Sequence, residues 1–197
     1  MFAYIQGKLS FKSPTHVYIE CGGIAYILHI SLSTYSQIED KEQVKLFTHL
    51  VVREDAHLLY GFFTEEEKTM FLHLISVSGI GPNTARLVLS SLSVNEFHQA
   101  IIREDVRLIQ SIKGIGPKSA QRLILELKDK LKKENLTEIL PALSGSSAIA
   151  HSAEALAALS MLGFQKSHAE KAMQKAMKEN PGLESVEEII KASLKNL

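Results

Sequence analysis

The sequence predicts an α+β multidomain chain: a small five-stranded β-barrel, then a helical region, then a three-helix bundle. Three observations carry that prediction. Apolar residues alternate with period two up to residue 63 and recur with helical spacing from residue 64 onward. A Gly-x-Gly-Pro segment occurs twice, as VSGIGPNTARLVL at 77–89 and IKGIGPKSAQRLI at 112–124, so that residues recur 35 positions on. The stretch 141–150, PALSGSSAIA, loses periodicity and turns to small residues, which is linker composition. The expected division is therefore a barrel at 1–63, a tandem-repeat helical domain at 64–140, a flexible linker at 141–150 and a bundle at 151–197.

Residues 1–11 supply a first strand. Residues 15–20 alternate around Val17 and Ile19, residues 24–30 around Tyr26 and Leu28, and residues 43–53 around Val44, Leu46, Leu50 and Val52. Gly22-Gly23 marks a hairpin between the second and third strands, 33–38 reads as a brief helical insert, and 58–63 is the last strand. Five short antiparallel strands suggest a small barrel. The hairpin between the last two strands carries Glu54 and Asp55 at its tip. Two adjacent carboxylates are ordinary in a solvated turn; beside a phosphate-binding element they repel DNA, and the pair then reads as a steering device.

The helical region opens at Thr64, where Thr-Glu-Glu-Glu predicts a capping box closed by Glu67. Phe71, Leu74 and Ile75 form that helix's apolar face, and Ser93 with Glu96 predicts a second capping box before Phe97, Ile101 and Ile102. After Pro117, residues Ala120, Leu123, Ile124, Leu127 and Leu131 keep helical spacing toward a basic run at Lys128, Lys130, Lys132 and Lys133, a pattern usual for a solvated face. In the tail, Leu156, Leu159 and Leu162 form one stripe, Ala169, Ala172, Met173, Ala176 and Met177 a second, and Val186, Ile189, Ile190 and Leu194 a third. Gly163-Phe164 and Pro181-Gly182 separate them, giving a three-helix bundle suited to docking a partner.

Composition narrows the function. The 197 residues hold 22 Lys plus Arg against 22 Asp plus Glu, so no global basic field exists and any nucleic-acid contact must be local. A single cysteine, Cys21, excludes an internal disulfide framework and fits a reducing cytoplasm. No signal peptide and no apolar run of membrane-spanning length is present, so a soluble cytoplasmic protein with no membrane contact is expected. The segment 114–119 lacks the spacing of a Walker phosphate loop, and no Cys or His cluster has metal-ligand spacing. The chain is accordingly expected to have no catalytic residue, metal or cofactor. A nuclease centre from His49, His57, Glu54 and Asp55 is the enzymatic alternative, poorly served because one turn offers two neighbouring carboxylates as a scaffold for a two-metal clamp. A general duplex-binding scaffold is the other.

The repeated glycine hairpins carry the positive reading. Each places Pro in the first turn of a helix, where its missing N–H costs nothing, and leaves several amides unpaired at the helix start, a ready anion site. The pair resembles tandem helix-hairpin-helix motifs, which bind DNA phosphates without reading sequence. The residues expected to hold phosphate are Gly79, Gly81, Asn83 and Arg86 in the first copy and Gly114, Gly116, Lys118 and Arg122 in the second. Lys118 and Arg122 lie on one helical face, so the second copy should contribute more electrostatic affinity.

Taken in order, the barrel, the string FTHLVVREDAHLLYGF at 47–62, the paired hairpins with GIGPKSAQRLILELKD at 114–129, the linker and the bundle resemble the RuvA family of bacterial Holliday junction branch migration subunits. The resemblance covers the whole chain. It implies an oligonucleotide-binding (OB)-type barrel, a UBA-like terminal bundle, and a homotetramer, or an octamer on DNA, across whose basic face an open four-way junction lies. It further implies that residues 151–197 engage the RuvB hexameric ATPase, which hydrolyses ATP and drives branch migration, with the RuvC resolvase as another partner. Glu54 and Asp55 match the family's acidic pin. Two departures stand out: Asn83 occupies a position where a basic residue is expected, and the linker is short.

Overall fold

The computed structural model describes residues 2–143, 147–180, 183 and 185–197, and the side chains of these except at 129, 132–143, 147–150 and 153. The chain divides into two compact units, Met1–Leu131 and Lys132–Leu197.

In the first unit, β1 (Tyr4–Lys12), β2 (His16–Cys21), β3 (Ile24–His29), β4 (Gln43–Val52) and β5 (His57–Phe62) close a barrel in the order β1-β2-β3-β5-β4. The pairings are antiparallel except β3 with β5, which run parallel with His29 opposite Tyr60. Helix α1 (Leu32–Ile38) fills the insert between β3 and β4, capped by the Ser31 side chain on the Thr34 amide. Val17, Ile19, Leu28, Ile30, Ile38 and Leu46 are fully buried at the barrel's centre. Alternation places Val17, Ile19, Leu28 and Leu46, since every second side chain of each strand points inward, while Ile30 follows β3 and Ile38 comes from α1.

The last strand works differently. Residues 58–63 are apolar without interruption because both faces of β5 are covered. Leu59 joins the barrel core, whereas Tyr60 and Phe62 join a second core with Met70, Phe71 and Leu74 of α2 (Glu65–Ser76). The rings of Tyr60 and Phe62 lie 5.0 and 4.9 Å from that of Phe71. Barrel and helices, separated at residue 63 by their periodicities, thus form one unit because β5 serves both cores.

A buried carboxylate reinforces the junction. Thr64 caps α2 at the Glu67 amide as expected, but the Glu67 side chain does not reach back to complete a capping box. It is 4% exposed and accepts hydrogen bonds from Ser31 Oγ at 2.5 Å, Thr34 Oγ1 at 2.6 Å and the Phe63 amide at 3.2 Å. A desolvated carboxylate requires such donors, and the start of α1 offers two hydroxyls where Thr64 offers one amide. The second predicted capping box, Ser93 with Glu96 at the start of α4 (Val94–Ile102), is complete.

Helices α3 (Pro82–Ser91), α5 (Val106–Gln110) and α6 (Pro117–Leu143) complete the helical region. The basic run is partly engaged: Lys128 pairs with Glu104, and Lys130 Nζ donates to Ser76 Oγ at 2.7 Å. The side chains of Lys132 and Lys133 lie outside the described residues. The linker expected over 141–150 is helical where described, α6 running to Leu143 and α7 (Ser147–Met161) beginning four residues later. Its alanines suit a helix as well as a linker; residues 144–146 lie outside the described residues.

In the second unit α7 packs with α8 (Lys166–Glu179) and α9 (Val186–Leu194) around Ala155, Leu159, Ala169, Met173 and Ile189. Leu162, expected on the buried stripe, is 62% exposed. Helix α7 stops at Met161 and Gly163 turns the chain with a φ of +97°, which takes Leu162 off the helical face. Of the separators expected between the second and third helices, Pro181 and Gly182 lie outside the described residues.

Candidate nucleic-acid interface

The repeat seen in the sequence is a repeat of geometry. In the first copy the Ile80 amide donates to the Val77 carbonyl at 3.0 Å and the Ala85 amide to the Gly81 carbonyl at 2.9 Å. In the second, Ile115 donates to Ile112 at 3.1 Å and Ala120 to Gly116 at 2.9 Å. Ile80 and Ile115 are buried, as are Ala85 with Ala120 and Val88 with Leu123, so both hairpins are pinned to the same core from equivalent positions.

The glycines divide into two kinds. Gly79 and Gly114 adopt φ of +89° and +93°, a conformation side chains resist, so the turn itself demands glycine there. Gly81 and Gly116 do not have positive φ, and a Cβ built on either meets nothing within 4 Å. Neither the fold nor its packing requires glycine at 81 and 116. What an absent side chain leaves there is open access to the unpaired amides at the starts of α3 and α6. Pro82 and Pro117 occupy the first helical position in both, as their spacing predicts.

The flanking side chains are unequal between the copies. Lys118 is exposed, and no hydrogen bond or ion pair joins it to another described residue. Arg122 pairs with Glu126 at 3.6 Å, a surface contact of small energetic weight, and its Nη1 lies 3.4 Å from the Ser78 carbonyl oxygen at the first hairpin. In the first copy Asn83 Oδ1 accepts from the Tyr60 hydroxyl at 3.4 Å, and Arg86 Nη1 donates to the Thr15 carbonyl at 2.9 Å. The Arg86 cation, after burial, holds His29 below its ordinary value and partly offsets the upward push of burial on the Tyr60 phenol.

Glu54 and Asp55 stand exposed at the tip joining β4 and β5, closed by a hydrogen bond from the Arg53 amide to the Ala56 carbonyl at 2.8 Å. The outermost strand pair is Val52 with His57. His49 pairs with Tyr60 three positions further down, its ring 5.8 Å from that of Phe71, and burial followed by the Lys68 charge lowers its pKa. The four residues considered for a metal site are therefore not gathered at the tip, and among the described residues no group of three or more His, Cys, Asp or Glu is placed to hold a metal ion. No described helix is long and apolar enough to cross a membrane.

The sequence does not reveal the barrel's contacts with the first hairpin's helix, which come from Tyr60, Thr15 and Leu32. Long-range partners of this kind leave no periodic signal.

Comparison with known proteins covers all three segments. Residues 1–61 match the model of the RuvA N terminal domain, residues 71–129 that of the SAM-like helix-hairpin-helix tandem, and residues 150–197 that of the RuvA C-terminal domain. Similar curated proteins include the Holliday junction branch migration complex subunit RuvA of Cytophaga hutchinsonii, 50% identical over 203 residues that cover 99% of each chain. The subunit of the same name from Christiangramia forsetii is 49% identical over the full length of both chains, and that from Acetivibrio thermocellus is 45% identical over 100% of this chain and 98% of the relative.

Proposed function

The chain belongs to the RuvA family, and on that premise we propose that it binds four-way (Holliday) junction DNA independently of sequence, holds it open and couples it to branch migration. It is the non-catalytic, DNA-binding subunit of its complex, and ATP hydrolysis belongs to a RuvB-type hexameric partner. The observation that carries this reading is one compact unit that presents two equivalent, side-chain-free helix starts together with an exposed pair of carboxylates.

Phosphate oxygens approach the amides beside Gly79 and Gly81 and beside Gly114 and Gly116, with Asn83 flanking the first site and Lys118 and Arg122 the second. The positive ends of α3 and α6 favour the anion, and backbone contacts carry no sequence information. Glu54 and Asp55 do the opposite. In a homotetramer they would gather around the strand crossover and repel the phosphates there, so that attraction at the rim and repulsion at the centre keep the arms apart while the DNA slides.

The division at 1–63, 64–140 and 151–197 assigns the pin, the phosphate sites and motor docking in turn. Residues 151–197 contact the ATPase; Met161, 89% exposed, and Leu162 at the turn after α7 support a docking surface there. A second tetramer on the opposite face of the junction and a RuvC-type resolvase are further partners, and the cytoplasm is the compartment. A gel-shift comparison of a four-way junction with a linear duplex of the same sequence, at matched salt, tests the core of the reading. Much tighter binding of the junction is expected; equal affinity overturns it.

A further inference from the structure

Three contacts join α3 to the barrel, and all three come from one face of the helix. Asn83, Arg86 and Ser90 lie at i, i+3 and i+7. Asn83 accepts from Tyr60 of β5 at 3.4 Å, Arg86 donates to the Thr15 carbonyl in the β1–β2 turn at 2.9 Å, and Ser90 Oγ accepts from the Leu32 amide at the start of α1 at 3.0 Å. The corresponding positions in α6 are Lys118, Gln121 and Leu125, all exposed, Leu125 to 72%. The two copies of the repeat therefore differ in what their equivalent faces do. One docks on the barrel and the other faces solvent.

Arg86 is the strongest of the three contacts, since a charged donor at 2.9 Å outweighs a neutral hydroxyl at 3.4 Å. Arg86 is among the residues expected from sequence to hold phosphate, and in the structure its Nη1 is engaged by the Thr15 carbonyl. Tyr60, at the neighbouring contact, stands five residues beyond Asp55 along β5, about 17 Å of extended strand from the acidic tip. The seam therefore lies between the start of α3 and the acidic tip.

We propose that Arg86 is a positioning residue: by bracing α3 against Thr15 it holds the first hairpin in register with Glu54 and Asp55, and so contributes to the choice of four-way junction over plain duplex. The assignment rests on the reading of the hairpins as phosphate sites. Three roles for Arg86 make different predictions. A phosphate ligand contributes to every DNA alike and to the salt dependence of binding. A residue needed only for folding lowers the active fraction and leaves preference unchanged. A positioning residue changes the preference itself.

The experiment measures affinity of the full chain for a four-way junction and for a linear duplex across a salt series, with thermal melts in parallel. The variants are Arg86→Ala, Ser90→Ala and Lys118→Ala. For Arg86→Ala the junction-to-duplex preference should fall by roughly tenfold, the scale of one charge-assisted hydrogen bond, with duplex affinity and salt slope retained. Ser90→Ala, which removes an uncharged partner from the same seam, should lower the preference in the same direction with no change in slope. The proposal is overturned if Arg86→Ala weakens both DNAs and lowers the slope by about one, as Lys118→Ala should. It is also overturned if both affinities fall equally with the melting temperature, or if the preference does not move. A wild-type chain without junction preference removes the underlying reading, and this assignment with it; a wild-type preference that Arg86→Ala leaves intact removes this assignment alone.

Discussion

Arg122 Nη1 lies 3.4 Å from the carbonyl oxygen of Ser78, so a cation borne by the second hairpin's helix stands at the turn of the first. The two hairpins are thereby linked through a side chain that the sequence assigns to the second alone. Removing Arg122 should consequently affect both hairpins, whereas removing Lys118 affects one.

Lys118→Ala should weaken junction and duplex binding together and reduce the slope of log affinity against log salt by about one, the signature of a single lost phosphate contact. Arg122→Ala should give a larger loss of affinity than its slope change accounts for, because it also loosens the first turn. Equal behaviour of the two variants in a salt titration would count against the shared role.

The glycines separate fold from binding. Gly81→Ala and Gly116→Ala have room for the added methyl, so stability should change by less than about 1 kcal/mol while binding weakens. Gly79→Ala and Gly114→Ala must place a side chain at φ near +90° and should lose about 1–2 kcal/mol of stability. Urea denaturation beside a binding curve checks both halves.

The acidic tip should act on the path of the DNA and little on its capture. Glu54→Gln with Asp55→Asn should leave junction affinity equal or greater, since repulsion is removed, while altering motor-driven branch migration. An unchanged migration rate with the partner ATPase would remove the tip from the mechanism.

Glu67→Ala should destabilise the first unit by about 2–4 kcal/mol, because Ser31, Thr34 and the Phe63 amide lose a buried charged acceptor. Chemical denaturation measures this directly, and a loss under about 1 kcal/mol would show that water replaces the carboxylate.

His29 gives a pH signature. Burial, then the charges of Arg86 and His16, hold its pKa below the ordinary histidine value of 6.5. The unfolded chain therefore takes up the proton first, and the stability His29 contributes is complete above about pH 6.5 and declines as pH falls below it. His29→Gln should flatten that part of the melting profile, and Arg86→Ala should raise the His29 pKa in an NMR titration. A His29 resonance that titrates identically in the two proteins would place the Arg86 charge elsewhere.

Much of this molecule is local, and most of what is local is legible, the Thr64 capping box and the place of Leu162 being the exceptions. Strand alternation, the glycine turns and the Ser93 cap are properties of a few consecutive residues, each specified by period, by positive φ or by one side chain reaching three residues along. The repeat, and with it the matching geometry of both helix starts, needed nothing beyond the string of amino acids. Tertiary structure alone decided where Glu67, Asn83, Arg86 and Arg122 send their polar atoms, since their partners lie at Ser31, Tyr60, Thr15 and Ser78, from 23 to 71 residues away in the chain. A polar side chain on a helix surface has many partners open to it, and the one it takes is set by which backbone the packed core brings alongside. For that reason two hairpins of matching backbone geometry have unequal faces, one hydrogen-bonded to the barrel and one open to solvent.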